Sequence, residues 1–200
     1  MVNRIKYCFF SIFFLCSLYT QKNDKQIWVD SIYSSMSLDQ KVGQLYSVWT
    51  ASKYGQGEIN EIKKIINEYH IGGLIYSLGN INDQVISHNI FQKQSNIPLL
   101  ISMDAEWGLG MRLDDGFSFP YNITLGAIRD DSLVFAVGHR IGEHLKKIGV
   151  HLNFAPVSDV NTNPKNPIIG ARSFGENKFN VTNKSICLLY TSDAADESVC

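Results

Sequence analysis

Between Cys16 and Cys187 the sequence contains no cysteine. The four that exist are Cys8 and Cys16 in an apolar opening segment and Cys187 and Cys200 in the last stretch. The body of the chain therefore has neither a disulfide framework nor a thiolate metal site. Charge of one sign is also lacking. Eighteen Lys and Arg stand against 19 Asp and Glu, a net charge of −1, so nothing in the balance calls for nucleic acid or an anionic membrane surface as a partner. There is no internal repeat, no low-complexity linker, and no His-x-His pair such as a metal-dependent hydrolase places at a strand end. Gly108-Leu-Gly110 lacks the third glycine and the Lys-Ser/Thr of a nucleotide loop. No cofactor is implied. What remains is 44% hydrophobic, the composition of a globular chain.

The only long apolar run is at the start. Arg4 and Lys6 precede an almost wholly apolar stretch from Tyr7 to Tyr19. That core is shorter than the roughly 20 residues of a membrane span, so residues 1–20 read as a secretory signal cleaved near Thr20–Gln21. The chain is expected to be exported, periplasmic or extracellular. Leu15 is too large for the position before a lipidated Cys16, and membrane contact is expected only if the leader is retained or lipidated. At the other end, Cys187-Leu-Leu-Tyr-Thr-Ser-Asp-Ala-Ala-Asp-Glu197 resembles the translation of a sequencing adapter. Residues 187–200 are set aside as a non-native tail, which leaves 21–186 as the domain.

Along that domain, apolar strands alternate with apolar-striped helices. Ser37 is placed to accept from the backbone of Gln40 as a helix cap, and residues 42–49 should bury. Ile59, Ile62, Ile65, Ile66 and Tyr69 share a helix face that Gly72 or Gly73 can end. Strand 73–76, helix 82–95 and strand 97–103 follow. Leu133, Val137, Ile141, Leu145 and Ile148 stripe a third helix, capped by Asp130 or Asp131 and closed by Gly149. Strand 150–155 comes next, and the short apolar run Leu152, Phe154, Ala155 and Val157 reads as buried. Continuous apolar strands in this order predict an α/β fold with a parallel sheet covered by helices.

The last strand stops at Pro156 and opens into a polar loop punctuated by Pro164, Pro167 and Gly170. In parallel α/β folds such loops hold ligands. This one carries Asp159 and Arg172, which spacing alone leaves as either a site or a surface ion pair. Upstream, Asp104 and Glu106 follow a strand. Residues two apart share a strand face, so the two could be an acid and a nucleophile in one pocket. They could equally be a binding carboxylate and a structural one that ties down the following loop. The second reading is preferred. Trp107 could stack on a ligand or pack in the core, with packing favoured. His139 and His144 fall on the polar face of the third helix and should be solvated.

Ala155-Pro-Val-Ser-Asp-Val160 followed by Ile169-Gly-Ala-Arg-Ser-Phe-Gly-Glu176, with Asp104-Ala-Glu-Trp-Gly108 upstream, resembles family 3 glycoside hydrolases. The subgroup it resembles is the bacterial β-N-acetylhexosaminidases, and the likeness runs from about Leu38 to Ile186. The resemblance implies a TIM-like (β/α)8 barrel of which only about the first half is present, cut after about four strands. Such an unclosed sheet exposes an edge and one side of its core, so the fragment is expected to be poorly soluble or molten. Ala105 and Trp107 depart from the commoner Gln and Gly, which puts the exact substrate in doubt more than the family.

The resemblance also assigns roles. Asp104, Arg112 and Arg172 match the family's substrate-binding residues, a carboxylate that accepts from sugar hydroxyls and two guanidinium groups that donate to them. The family's Lys-His pair, its histidine–aspartate acid/base dyad and its aspartate nucleophile have no counterpart after Arg172, so no catalytic residue is assigned and the fragment should not hydrolyse glycosides. The implied partner is an N-acetylglucosamine-containing glycan of peptidoglycan or chitin type, and the implied parent is a retaining β-N-acetylhexosaminidase. A second class stays open, a secreted glycan-binding protein without catalysis.

Overall fold

A computed structural model describes residues 23–194 of the chain. The expected leader lies outside the described residues, as do residues 195–200 of the expected tail. The chain divides into two compact units, with the boundary between Lys41 and Val42. The leading unit carries helix α1 (Asp24–Ser35), which Asn23 caps by accepting from the Gln26 N–H at 2.8 Å. Ser37 then opens α2 (Leu38–Gly43). Its hydroxyl accepts from the Gln40 N–H at 3.2 Å while the Gln40 side chain accepts from the Ser37 N–H at 2.9 Å, the reciprocal box the sequence predicts.

The second unit is a four-stranded sheet with helical crossovers. Strands β1 (Ser47–Thr50), β2 (Gly73–Tyr76), β3 (Leu100–Met103) and β4 (Leu152–Asn153) are parallel and lie in chain order, β1-β2-β3-β4. Strand order without reversal is the pattern of a βα barrel; a doubly wound sheet reverses direction at a switch point. The crossovers are α3 (Gln56–Tyr69) and α4 (Ile81–Gln94), and between β3 and β4 the short α5 (Asn122–Ala127) and the long α6 (Asp131–Lys147). After β4 a loop leads to α7 (Lys178–Ala194).

The main core packs β2 and β3 against these helices. Leu74, Tyr76, Ile101 and Met103 meet Ile62 and Ile66 of α3, Phe91 of α4, and Ile141 and Leu145 of α6. Burying each such side chain contributes roughly 1.5–3 kcal/mol. A second cluster joins Leu125 of α5, Val134 of α6, Phe174, and Val181 and Leu188 of α7. Helix α7 thus continues past Ile186 and buries Leu188 to 1% exposure, so the described fold takes in part of the segment set aside as a tail. Among the described residues no helix is long and apolar enough to cross a membrane.

Several expectations need correction. Residues 42–49 bury only in part: Val42, Leu45, Tyr46 and Trp49 are exposed, while Gly43 is buried and Val48 packs against the core. The strand of the long loop is only two residues, with Leu152 and Phe154 exposed. Trp49 belongs to β1, and Leu152 and Phe154 lie in and just after β4, the outer strands, each of which has a sheet neighbour on one side only among the described residues. On α6, Leu133 is 54% exposed and Val134 is buried instead. Steps of four residues advance about 40° beyond a full turn, so the stripe starts off the core face at Leu133 and turns onto it by Ile141 and Leu145. Helix α3 ends on His70 in the left-handed region (φ 52°), not on a glycine. Gly72 serves close packing: a Cβ there would sit 2.1 Å from the Gln44 carbonyl oxygen.

Candidate functional site

Asp104 is the first residue beyond β3, and the residues after it form a loop pinned at several points. The Asn153 side chain, at the end of β4, accepts from the Ala105 N–H at 3.0 Å and donates to the Ala105 carbonyl at 3.4 Å. Gly108 takes φ 91°, and the short helical turn Leu109–Met111 then brings the chain back on itself. Arg112, which ends that turn, donates through Nε to the Asp104 carbonyl at 2.9 Å and through Nη2 to the Asp104 carboxylate. Both partners stay partly open to solvent. The pair is a fork closed on one residue, with a carboxylate oxygen left for another donor.

Glu106, two residues on, is in a different situation. Its carboxylate is 1% exposed and meets Arg172 from across the fold. Arg172 donates through Nε to Oε1 at 2.9 Å and Oε2 at 3.1 Å, and through Nη2 to Oε1 at 2.6 Å. These hydrogen bonds push the Arg172 pKa above its already high ordinary value, with the fields of Asp104 and Asp159 adding to them. Arg172 is delivered by the turn Gly170–Arg172, whose last carbonyl accepts from the Asn122 side chain at 2.8 Å. Ser173 locks the loop from within: its hydroxyl donates to the Asp159 carbonyl at 2.5 Å.

These groups converge on one cavity of about 360 Å³ at the C-terminal ends of the strands. Asp104, Arg112 and Arg172 all line it, with Trp49 of β1 and Phe154 just past β4 as apolar walls and Ile75, Tyr76 and Ser77 at the end of β2. A parallel sheet places a ligand at this end. The structure therefore brings together the three predicted site residues, whose chemistry of one acceptor and two planar donors suits a polyhydroxylated ligand.

The glycosyl hydrolase family 3 N terminal domain matches residues 37–186. The chain belongs to that family. Beta-hexosaminidase A of Pseudoalteromonas piscicida is 35% identical over 148 residues, 68% of this chain and 25% of that protein. Beta-hexosaminidase LpqI of Mycobacterium tuberculosis is 30% identical over 134 residues, 64% of this chain and 34% of the relative. A family 3 β-N-acetylglucosaminidase structure from Paenibacillus superposes with a TM-score of 0.70 at 34% identity, covering 80% of this chain and 32% of that one. A β-glucoside phosphorylase superposes with a TM-score of 0.79 at 23% identity, a likeness of fold alone. The family 3 chain spans about a quarter to a third of the length of these curated relatives. Its α/β fold is part of a TIM-like barrel.

Within that family frame some side chains sit as their sequence context predicts and others do not. The preference for Glu106 as a structural carboxylate fits its burial, but it ties down the distant Arg172 turn and not the loop that follows it. Asp159 acts on Arg172 only through its field, and the surface Arg–Asp pair left open by spacing does not form. Trp107 packs edge-on against Tyr121, ring centres 4.6 Å apart. His144 is not simply solvated, because its ring lies 5.9 Å from that of Phe119. Trp49, Ser77, Phe154, Asn122 and Asn153 were missed. Asn153 alone carried a signal, as an amide interrupting an apolar strand. Among the described residues no cluster of His, Cys, Asp and Glu could hold a metal ion.

Proposed function

We propose that the chain supplies the sugar-gripping wall of an exported family 3 glycoside hydrolase of the β-N-acetylhexosaminidase type. Its substrate is a terminal β-linked N-acetylglucosamine on a peptidoglycan- or chitin-type oligosaccharide. The reading rests on one observation: Asp104, Arg112 and Arg172 line a single cavity. About 360 Å³ is near the small end of ligand pockets, which run to roughly 1,000 Å³, and suits one sugar ring. Asp104 accepts from paired ring hydroxyls, the two guanidinium groups donate, and Trp49 and Phe154 meet the apolar C–H faces. Such contacts orient the ring and strengthen as charge develops at the reacting carbon.

Proton transfer and nucleophilic attack fall to groups beyond these residues. Each carboxylate beside the cavity already accepts from a guanidinium, an arrangement for binding and not for donating a proton. The same observation favours the second reading, a glycan-binding protein without catalysis. Titration with N-acetylglucosamine, comparing the chain with Asp104→Ala, tests the binding role. The substitution should weaken binding by about tenfold or more, and equal affinity would remove Asp104 from the site. A nitrophenyl N-acetyl-β-glucosaminide assay of the chain alone should release no nitrophenol; release would overturn this division of labour.

A further inference from the structure

Helix α5 stands outside the cavity, yet the chain at its start meets the Arg172 turn and the residue next to Glu106. Tyr121, just before the helix, packs edge-on against Trp107, the residue next to Glu106. Asn122, next in the chain, donates from Nδ2 to the Arg172 carbonyl at 2.8 Å. Two adjacent residues thus contact Arg172 and the neighbour of Glu106, the two halves of the pair being 66 residues apart in sequence. The helix is fixed against the Arg172 turn a second time. Asn180 donates to the carbonyls of both Gly126 and Phe174, at 3.0 and 3.3 Å, and a Cβ on Gly126 would sit 1.9 Å from the Phe174 carbonyl oxygen.

Asn122 is 2% exposed, and its Oδ1 is buried without a hydrogen-bond partner among the described residues. A side chain selected for packing alone would be apolar here, since half of the amide's hydrogen-bonding capacity is buried and unmet. What the amide provides is a hydrogen bond from Nδ2 to the backbone carbonyl of Arg172. We infer that Asn122 is a positioning residue of the sugar cavity: it holds the Arg172 turn so that the guanidinium reaches Glu106 and the cavity together. The inference deepens the sugar-binding reading and rests on it for its consequence, although the hold on Arg172 can be read without sugar.

The test uses the 200-residue chain with ¹⁵N-labelled arginine, as wild type, Asn122→Leu and Asn122→Ala. The Nε–H signals of Arg172 and Arg112 are followed by exchange with water, and each protein is titrated with N-acetylglucosamine. Loss of the donor should make Arg172 Nε–H exchange at least about tenfold faster while Arg112 Nε–H is unchanged, and should weaken sugar binding by about tenfold. An Arg172 signal that is unaltered in both variants overturns the inference. So does collapse of both arginine signals together in both variants, which would make Asn122 a folding residue and nothing more. Faster Arg172 exchange in a protein whose wild type does not bind N-acetylglucosamine upholds the positioning role and removes the sugar reading.

Discussion

Arg172 donates three hydrogen bonds to Glu106, a carboxylate 66 residues earlier in the chain and 1% exposed. The two partners are unequal, because Arg172 remains 35% exposed. Removing the arginine strands a buried carboxylate, whereas removing the carboxylate leaves a guanidinium that can turn to water.

That asymmetry gives an ordering. Arg172→Ala should cost about 3 kcal/mol of unfolding free energy, and Glu106→Gln distinctly less. The double variant should recover part of the Arg172→Ala loss. Urea denaturation of the three proteins measures it. Arg112→Ala is the control, since Asp104 is partly open to solvent and tolerates the loss of its partner. If Arg112→Ala is as destabilising as Arg172→Ala, the buried pair is not the stronger tie.

His88 provides a pH dependence. Burial lowers its pKa from 6.5, outweighing a backbone hydrogen bond to Ile148 that acts the other way, and the nearby His151 lowers it slightly further. The folded protein therefore binds fewer protons at this site than the unfolded chain. Its contribution is complete above pH 6.5 and is lost as the pH falls toward the lower folded value. Denaturant midpoints should decline below about pH 6.5 in wild type, and His88→Gln should flatten that decline. A steeper fall in the variant would reverse the sign.

Leu188 tests how far the fold extends. Its side chain is buried with Leu125, Val134, Phe174 and Val181, so Leu188→Ala should cost about 2–4 kcal/mol by the usual transfer and cavity terms. Thermal melts of Leu188→Ala and of a chain ending at Ile186 should both shift downward. An unchanged melting temperature in both would show that this stretch adds nothing to the fold.

Much of this fold could be read from the sequence because its signals are local. The Ser37–Gln40 box, the Asp130 cap that accepts from the Ser132 N–H, and the apolar runs at Leu74–Tyr76 and Ile101–Met103 depend on nearest neighbours. Exposure of Trp49, Leu152 and Phe154 could not be read that way, because it follows from which strands lie outermost. The site divides along the same line. Asp104, Arg112 and Arg172 were legible from motif order, a resemblance that carries family geometry into the reading. The partner of Arg172 was not: Glu106 sits two residues from Asp104 on the same strand end, and spacing cannot say which carboxylate turns inward. Asn122 was invisible, since an amide at the start of a six-residue helix has no local pattern that points 50 residues ahead.

The separation of Glu106 from Arg172 also has a temporal side. At translation speeds of roughly 5–20 residues per second, the arginine leaves the ribosome some 3–13 s after the glutamate. Until then Glu106 lacks the guanidinium that partners it in the fold. Of the residues that line the cavity, Arg172 is the last to be synthesised, so the cavity cannot be complete before its turn is made.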